Sequence, residues 1–235
     1  MKIQYASDLH LELSENSRWI GKNPLEVAGD ILILAGDIVY LGSEAHMKHP
    51  FWDWCAENFR QTLVVPGNHE LYGGFDAGQL AKEFSLEVRE NVRYYNNKVV
   101  TIDGVDIILS TLWANISIAD AFMVERSIND FRRIVCDDER FSFTKFNQMH
   151  EDSLRFIKQA IAASTAEIMA GQRAAEMREM QEKIDMLREK NSQQAVILNN
   201  AQQTSQFAAM LAPIQADLAE LKCNQVPVKK IACPE

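Results

Sequence analysis

Three short apolar stretches each break into polar residues able to bind a metal. Ile31-Leu32-Ile33-Leu34-Ala35 runs without a polar residue into Gly36-Asp37, the pattern of a strand buried on both faces. Lys2 to Ser7 alternates polar and apolar positions, then breaks into Asp8-Leu9-His10. Thr62 to Val65 ends in Pro66-Gly67-Asn68-His69-Glu70. Gly36 permits a sharp turn that leaves the Asp37 carboxylate at the strand's C-terminal end. That edge of an open α/β sheet is where ligands usually bind, so three strands are expected to deliver oxygen and nitrogen donors to one edge.

Between and after these strands the period changes. Leu11 to Gly29 is long for a plain loop, so it either holds a short helix or covers the site. Phe51, Trp54, Cys55 and Phe59 sit at helical spacing within Glu44 to Arg60, with Pro50 marking the first turn. Leu80, Phe84 and Val88, four residues apart, predict an amphipathic helix over Ala77 to Asn91. Val99 to Ile102 and Val105 to Leu109 flank Asp103-Gly104, a two-residue hairpin signal. Residues 114–142 carry no clear period. Phe146, Met149, Leu154, Ile157 and Ile161 form one apolar side of a helix over Phe143 to Ala163.

From Ser164 prolines and aromatics nearly vanish, while Ala, Gln, Glu, Met and Lys dominate. Met177, Met180, Ile184 and Leu187 recur in steps of three and four, a heptad seam that places Asn191 at a core position. A second series, Phe207, Leu211, Ile214, Leu218 and Leu221, is interrupted by Pro213. The expectation is an α/β domain over residues 1–163, a long helix or helical hairpin over 164–222 that forms homo-oligomers, and a disordered tail over 223–235. The alternative for the heptads is an amphipathic helix folded back on the sheet.

At 235 residues the chain fits one large domain, or one of about 150 residues with an appendage. Its net charge of −9 argues against non-specific binding to nucleic acid or anionic membrane. A phosphate substrate stays open, because bound cations reverse a local field. No apolar run reaches the roughly 20 residues of a membrane span, and no signal-peptide core is present, so a cytoplasmic location is expected. The cysteines, at 55, 136, 223 and 233, lack Cys-x-x-Cys spacing and are expected unpaired. Trp52 and Trp54 read as packing residues. His46, His49 and His150 fall on helices or their approaches and read as surface or boundary residues.

Asp8, His10, Asp37, Asn68 and His69 suit divalent manganese, iron or zinc. One carboxylate can bridge two such ions roughly 3.5–4 Å apart, an arrangement suited to in-line phosphoryl displacement. A neighbouring histidine can protonate the leaving oxygen.

In order and strand context, Asp8-x-His10, Gly36-Asp37 and Gly67-Asn68-His69-Glu70 resemble the calcineurin-like metallophosphoesterase superfamily over residues 1–163. The Ser110-Thr111-Leu112-Trp113 run also resembles bacterial single-domain members. The resemblance implies a two-sheet α/β sandwich with its site at the strand ends, and hydrolysis of a phosphomonoester or phosphodiester by a hydroxide activated between two metal ions. It assigns Asp8 and His10 to the first metal, Asp37 to the bridge, Asn68 to the second metal, and His69 to the acid or transition-state role. Family members continue into a strand ending in a histidine and a Gly-His-x-His motif. Here the five histidines lie at 10, 46, 49, 69 and 150. By that logic the first metal has three of four ligands and the second has two, Asp37 and Asn68, leaving an incomplete sandwich followed by a helical segment. Two readings follow: an enzyme, completed by water or a neighbouring subunit, or a catalytically inactive module acting as an oligomeric scaffold. A fusion near Ser164 would also account for the change in composition.

Overall fold

A computed structural model describes the backbone of residues 1–201 and the side chains of residues 1–192. The chain divides into two compact units, Met1–Glu167 and Ile168–Glu235. The first is an α/β domain built on a five-stranded sheet. Strands β1 (Ile3–Ala6), β2 (Ile31–Ala35), β3 (Gln61–Val65) and β5 (Val92–Asn96) run parallel, and β4 (Phe84–Arg89) lies antiparallel beside β5 at one edge. Ile3 pairs with Ile31, and Ile31 with Gln61. The three ligand-bearing strands are therefore consecutive neighbours, and their C-terminal ends share one edge.

The two sheet faces are covered differently. Leu32, Leu34, Val64, Val92 and Tyr94 point to one face, where they meet Phe51, Trp52 and Cys55 of helix α3 (Pro50–Asn58). Helix α3 begins at Pro50, where the missing N–H costs nothing, and the His49 imidazole accepts the Phe51 N–H at 3.1 Å. Helices α1 (Ser14–Lys22) and α2 (Glu44–Met47) precede it, so the Leu11–Gly29 connection does hold a short helix. On the opposite face, Ile31 and Leu63 pack under a hairpin of β6 (Lys98–Ile102) and β7 (Val105–Leu109) through Ile102, Ile107 and Leu109. Asp103 and Gly104 turn it with φ of 51° and 76°, as an Asp-Gly type I′ turn requires. This hairpin supplies the strands of the second layer. Tyr5, on the edge strand, stays 82% exposed.

One expectation fails. Ala77–Leu80 is a short 3-10 turn and Phe84–Arg89 is strand β4, so no helix spans Ala77 to Asn91. Residues four apart share a strand face as well as a helix face. Phe84, Leu86 and Val88 together make a period-two series packed against the core, and pairing with β5 decides between the two periods.

The segment without a clear period forms α4 (Ala121–Ser127), α5 (Asp130–Arg133) and a small ribbon of β8 (Val135–Cys136) and β9 (Glu139–Arg140). An aromatic cluster of Trp113, Phe131, Phe141 and Phe146 anchors it. Phe146 belongs to α6 (Phe143–Ala201), whose first turns also bury Met149, Ser153 and Ala160. Further along α6, Met177, Met180, Ile184 and Leu187 are exposed. The second apolar series from Phe207, the Pro213 break and the tail at 223–235 lie outside the described residues. No helix among the described residues is long and apolar enough to cross a membrane.

Candidate metal centre

Parallel pairing of β1 and β2 continues past the strands into the ligand loops. The Asp8 N–H donates to the Gly36 carbonyl at 3.0 Å, and the His10 N–H to the Asp37 carbonyl at 2.9 Å. Asp8, His10 and Asp37 all adopt left-handed backbone, with φ of 57°, 47° and 59°. For residues with a Cβ this costs on the order of 1–3 kcal/mol each and persists only where the surroundings enforce it. The cost brings their donor atoms to within 4.8 Å of one another. His10 Nε2 lies 4.0 Å from Asp8 Oδ1.

The third loop closes tightly on this group. Gly36, at φ 93°, sits against Gly67, and a Cβ at Gly36 would fall 2.9 Å from the Gly67 Cα. A Cβ at Gly67 would in turn overlap Asp37 Oδ1. The same oxygen accepts the His69 N–H at 3.0 Å. Two glycines thus let the β2 and β3 loops approach until the Asp37 carboxylate touches the backbone of the Asn68–His69 turn.

Two carboxylates without an assigned role organise the centre. Glu12 has a side chain 1% exposed, and its Oε1 lies 2.7 Å from His69 Nδ1 and 3.2 Å from His10 Nδ1. The two Nδ1 atoms also lie 3.2 Å from each other, so Glu12 Oε1 is placed to accept an Nδ1–H from either ring, and a ring that donates there leaves Nε2 as its outward nitrogen. Glu12 Oε2 is buried and has no partner. Glu12 sits in a turn closed by the Leu13 N–H donating to the His10 carbonyl at 3.0 Å, and this turn carries its carboxylate back under both imidazoles, a placement that no local sequence pattern announces. Glu70 is fully buried, and its Oε1 accepts the Ile38 N–H at 2.8 Å. Burial pushes its carboxyl up to about 7, against the downward pull of backbone N–H donors from Ile38, Gly67 and Asp37.

Asn68 does not face solvent unsupported. Its Nδ2 donates to Asp130 Oδ1 at 2.8 Å and lies 2.9 Å from the Tyr72 hydroxyl, which donates to the same Asp130 oxygen. With the amide nitrogen engaged, Oδ1 is the atom left for a metal. Burial, followed by the Asp130 carboxylate, raises the Tyr72 hydroxyl's pKa well above its usual value. Asn68 and Asp130 stand on the wall of a cleft of about 440 Å³ with Gly67, Thr111 and Trp113. Nothing local marks Asp130, because the fold brings it to Asn68 across 62 residues.

The remaining histidines lie elsewhere. His150 Nδ1 meets the Trp113 carbonyl at 2.5 Å. His49 Nε2 lies 2.7 Å from Ser17 Oγ, but its Nδ1 already accepts a backbone N–H, so the proton sits on Nε2 and this pair cannot deprotonate the serine.

The sequence profile of the calcineurin-like phosphoesterase family matches residues 1–170. An uncharacterized protein of Acanthamoeba polyphaga mimivirus is 28% identical over 173 residues, covering 66% of this chain and 61% of the relative. A UPF0046 protein of Caenorhabditis elegans is 32% identical over 114 residues, covering 45% of this chain and 37% of the relative. The chain therefore spans less than two thirds of either relative's length. Phosphopantetheinyl hydrolase from Mycobacterium tuberculosis is 18% identical with a TM-score of 0.41, over 72% of this chain and 63% of that one.

Proposed function

The chain belongs to the calcineurin-like phosphoesterase family, and we propose that it hydrolyses phosphoesters with the help of divalent metal ions. The observation that carries this reading is the convergence of Asp8, His10 and Asp37, from two neighbouring strand ends, to within 4.8 Å. Two carboxylates and an imidazole suit manganese, iron or zinc, so the donor set fits the group that the family uses. Asp8 and His10 would hold one ion, Asp37 would reach both, and Asn68 Oδ1 would serve the second. Bound metal supplies an acidified water as nucleophile and offsets charge on the phosphoryl oxygens.

The chain's own residues do the rest. Glu12 would accept the Nδ1–H of His10, leaving its Nε2 lone pair outward, and would pair with His69 as an imidazolium, whose Nε2–H gives the proton to the leaving oxygen. Asp130 and Tyr72 fix the Asn68 amide. Glu70 keeps the second and third loops in register. We further propose that the heptad seam over 164–222, whose described members Met177, Met180, Ile184 and Leu187 are exposed, joins copies of the chain. A cytoplasmic setting accords with this reading.

Hydrolysis of a chromogenic phosphodiester by the full chain, with manganese, without metal and as Asp37→Asn, tests the proposal. Turnover that needs both the metal and Asp37 is expected. Folded protein without turnover in any condition would leave the alternative of a scaffold that retains its ligands. The exposed heptad residues Met177, Met180, Ile184 and Leu187, a surface suited to joining copies, are the observation that favours that alternative.

A further inference from the structure

We propose that Arg133 recognises a second phosphate on the substrate, one aromatic ring beyond His69 and outside the metal cluster. The inference rests on the phosphoesterase reading and adds the class of substrate.

Arg133 is the last residue of α5. Its guanidinium lies 4.4 Å from the centre of the Tyr72 ring and 5.5 Å from that of Tyr40. Its Nη2 donates to the Tyr40 hydroxyl at 3.2 Å. Tyr72 in turn leans on His69, with ring centres 4.5 Å apart. The order from the cluster outward is thus His10, His69, Tyr72, Arg133. In a chain of net charge −9, Arg133 forms no ion pair among the described residues.

This is an unusual way to leave an arginine. Two tyrosine faces and one hydroxyl restrict the side chain by cation–π contact, yet most of its N–H donors stay unused and exposed. A planar fork held this way loses little entropy on meeting an anion and matches the paired oxygens of a phosphate. The same one-turn helix begins with Asp130, which grips Asn68. Asp130 and Arg133 are three apart on one helical turn, so the element that fixes one proposed ligand also carries the arginine that rests on Tyr72. With a tyrosine ring between it and His69, Arg133 is placed to meet a different phosphate from the one being cleaved. The substrate class is a phosphoester bearing two phosphates.

Adenosine 3′,5′-bisphosphate and adenosine 5′-monophosphate differ only in the second phosphate and serve as the probes. With manganese and the full chain, Arg133→Met is expected to raise KM for the bisphosphate roughly tenfold, the loss of one exposed charge-assisted contact, with kcat and the monophosphate KM unchanged. Arg133→Lys, which keeps the charge and loses the fork, should fall between. Equal KM changes for both nucleotides, or none, would overturn the proposal. Calorimetric titration of the same nucleotides separates the two readings, since it needs no turnover. Selective loss of bisphosphate binding in a protein that cleaves nothing would keep the subsite and remove the enzyme. Turnover without discrimination between the probes would do the reverse.

Discussion

Glu70 Oε2 accepts the Asp37 N–H at 2.9 Å, and it accepts the Gly67 N–H at 2.8 Å as well. One buried side chain thereby joins the loop after β2 to the loop after β3. Truncation as Glu70→Ala would strand three buried N–H groups and open a cavity. The expected cost is about 3–5 kcal/mol, read as a lower midpoint in denaturant, with weaker manganese binding at the same time.

Glu70 also sets a pH dependence in the metal-free protein. Its folded pKa of about 7 lies above the ordinary 4.5, so the folded chain holds the proton more tightly than the unfolded chain does. The stabilisation from this group is complete below about pH 4.5 and disappears as pH rises toward 7. Thermal melts between pH 5 and 8 should therefore show a falling contribution that is absent in Glu70→Gln, a neutral side chain of the same shape. An identical slope in the variant would assign the effect to other groups.

Gly67→Ala places a methyl where Asp37 Oδ1 now lies. The carboxylate must move, and a displacement of this size is expected to lower kcat by about 100-fold while circular dichroism stays that of a folded α/β domain. Unchanged kcat would show that Asp37 is not held where the chemistry needs it.

Glu12→Ala removes the acceptor that both imidazoles share. Metal affinity, measured by calorimetric titration with manganese, should fall about 10–100-fold, and Glu12→Asp should recover part of the loss. Affinity unmoved in both variants would reduce Glu12 to a packing residue.

Burial raises the Cys55 thiol to about 12 and that of Cys136, with help from Asp137, to about 11. Neither should react with iodoacetamide at pH 8 in native protein, and both should react after denaturation, as peptide mapping would reveal. Rapid native labelling of Cys55 would mean that the core around Trp52 opens.

What could be read from the chain alone was mostly local. Asp103-Gly104 specified its hairpin because only that turn geometry suits the pair, and Pro50 marked where α3 starts for the same kind of reason. Ile31 to Ala35 needed no partner to look like a central strand. Phe84 to Arg89 reads as helix from its spacing of four, which belongs to helix and strand alike, and pairing with β5 decides for strand. Glu12, Glu70 and Asp130 were silent for a further reason. Each works through a hydrogen bond to a residue the fold supplies, and an acidic letter in a chain with 33 of them attracts no notice. The resemblance names the residues proposed to bind metal, while the geometry adds the side chains hydrogen-bonded to them.

The left-handed backbone at Asp8, His10 and Asp37 has an evolutionary consequence. Glycine at any of the three would relieve strain and delete a ligand in one step. Random substitution screened only for thermal robustness should therefore enrich changes at these positions, producing sturdier and inert proteins. Only selection that depends on turnover would preserve all three side chains together, so their joint survival in a population is a record of use.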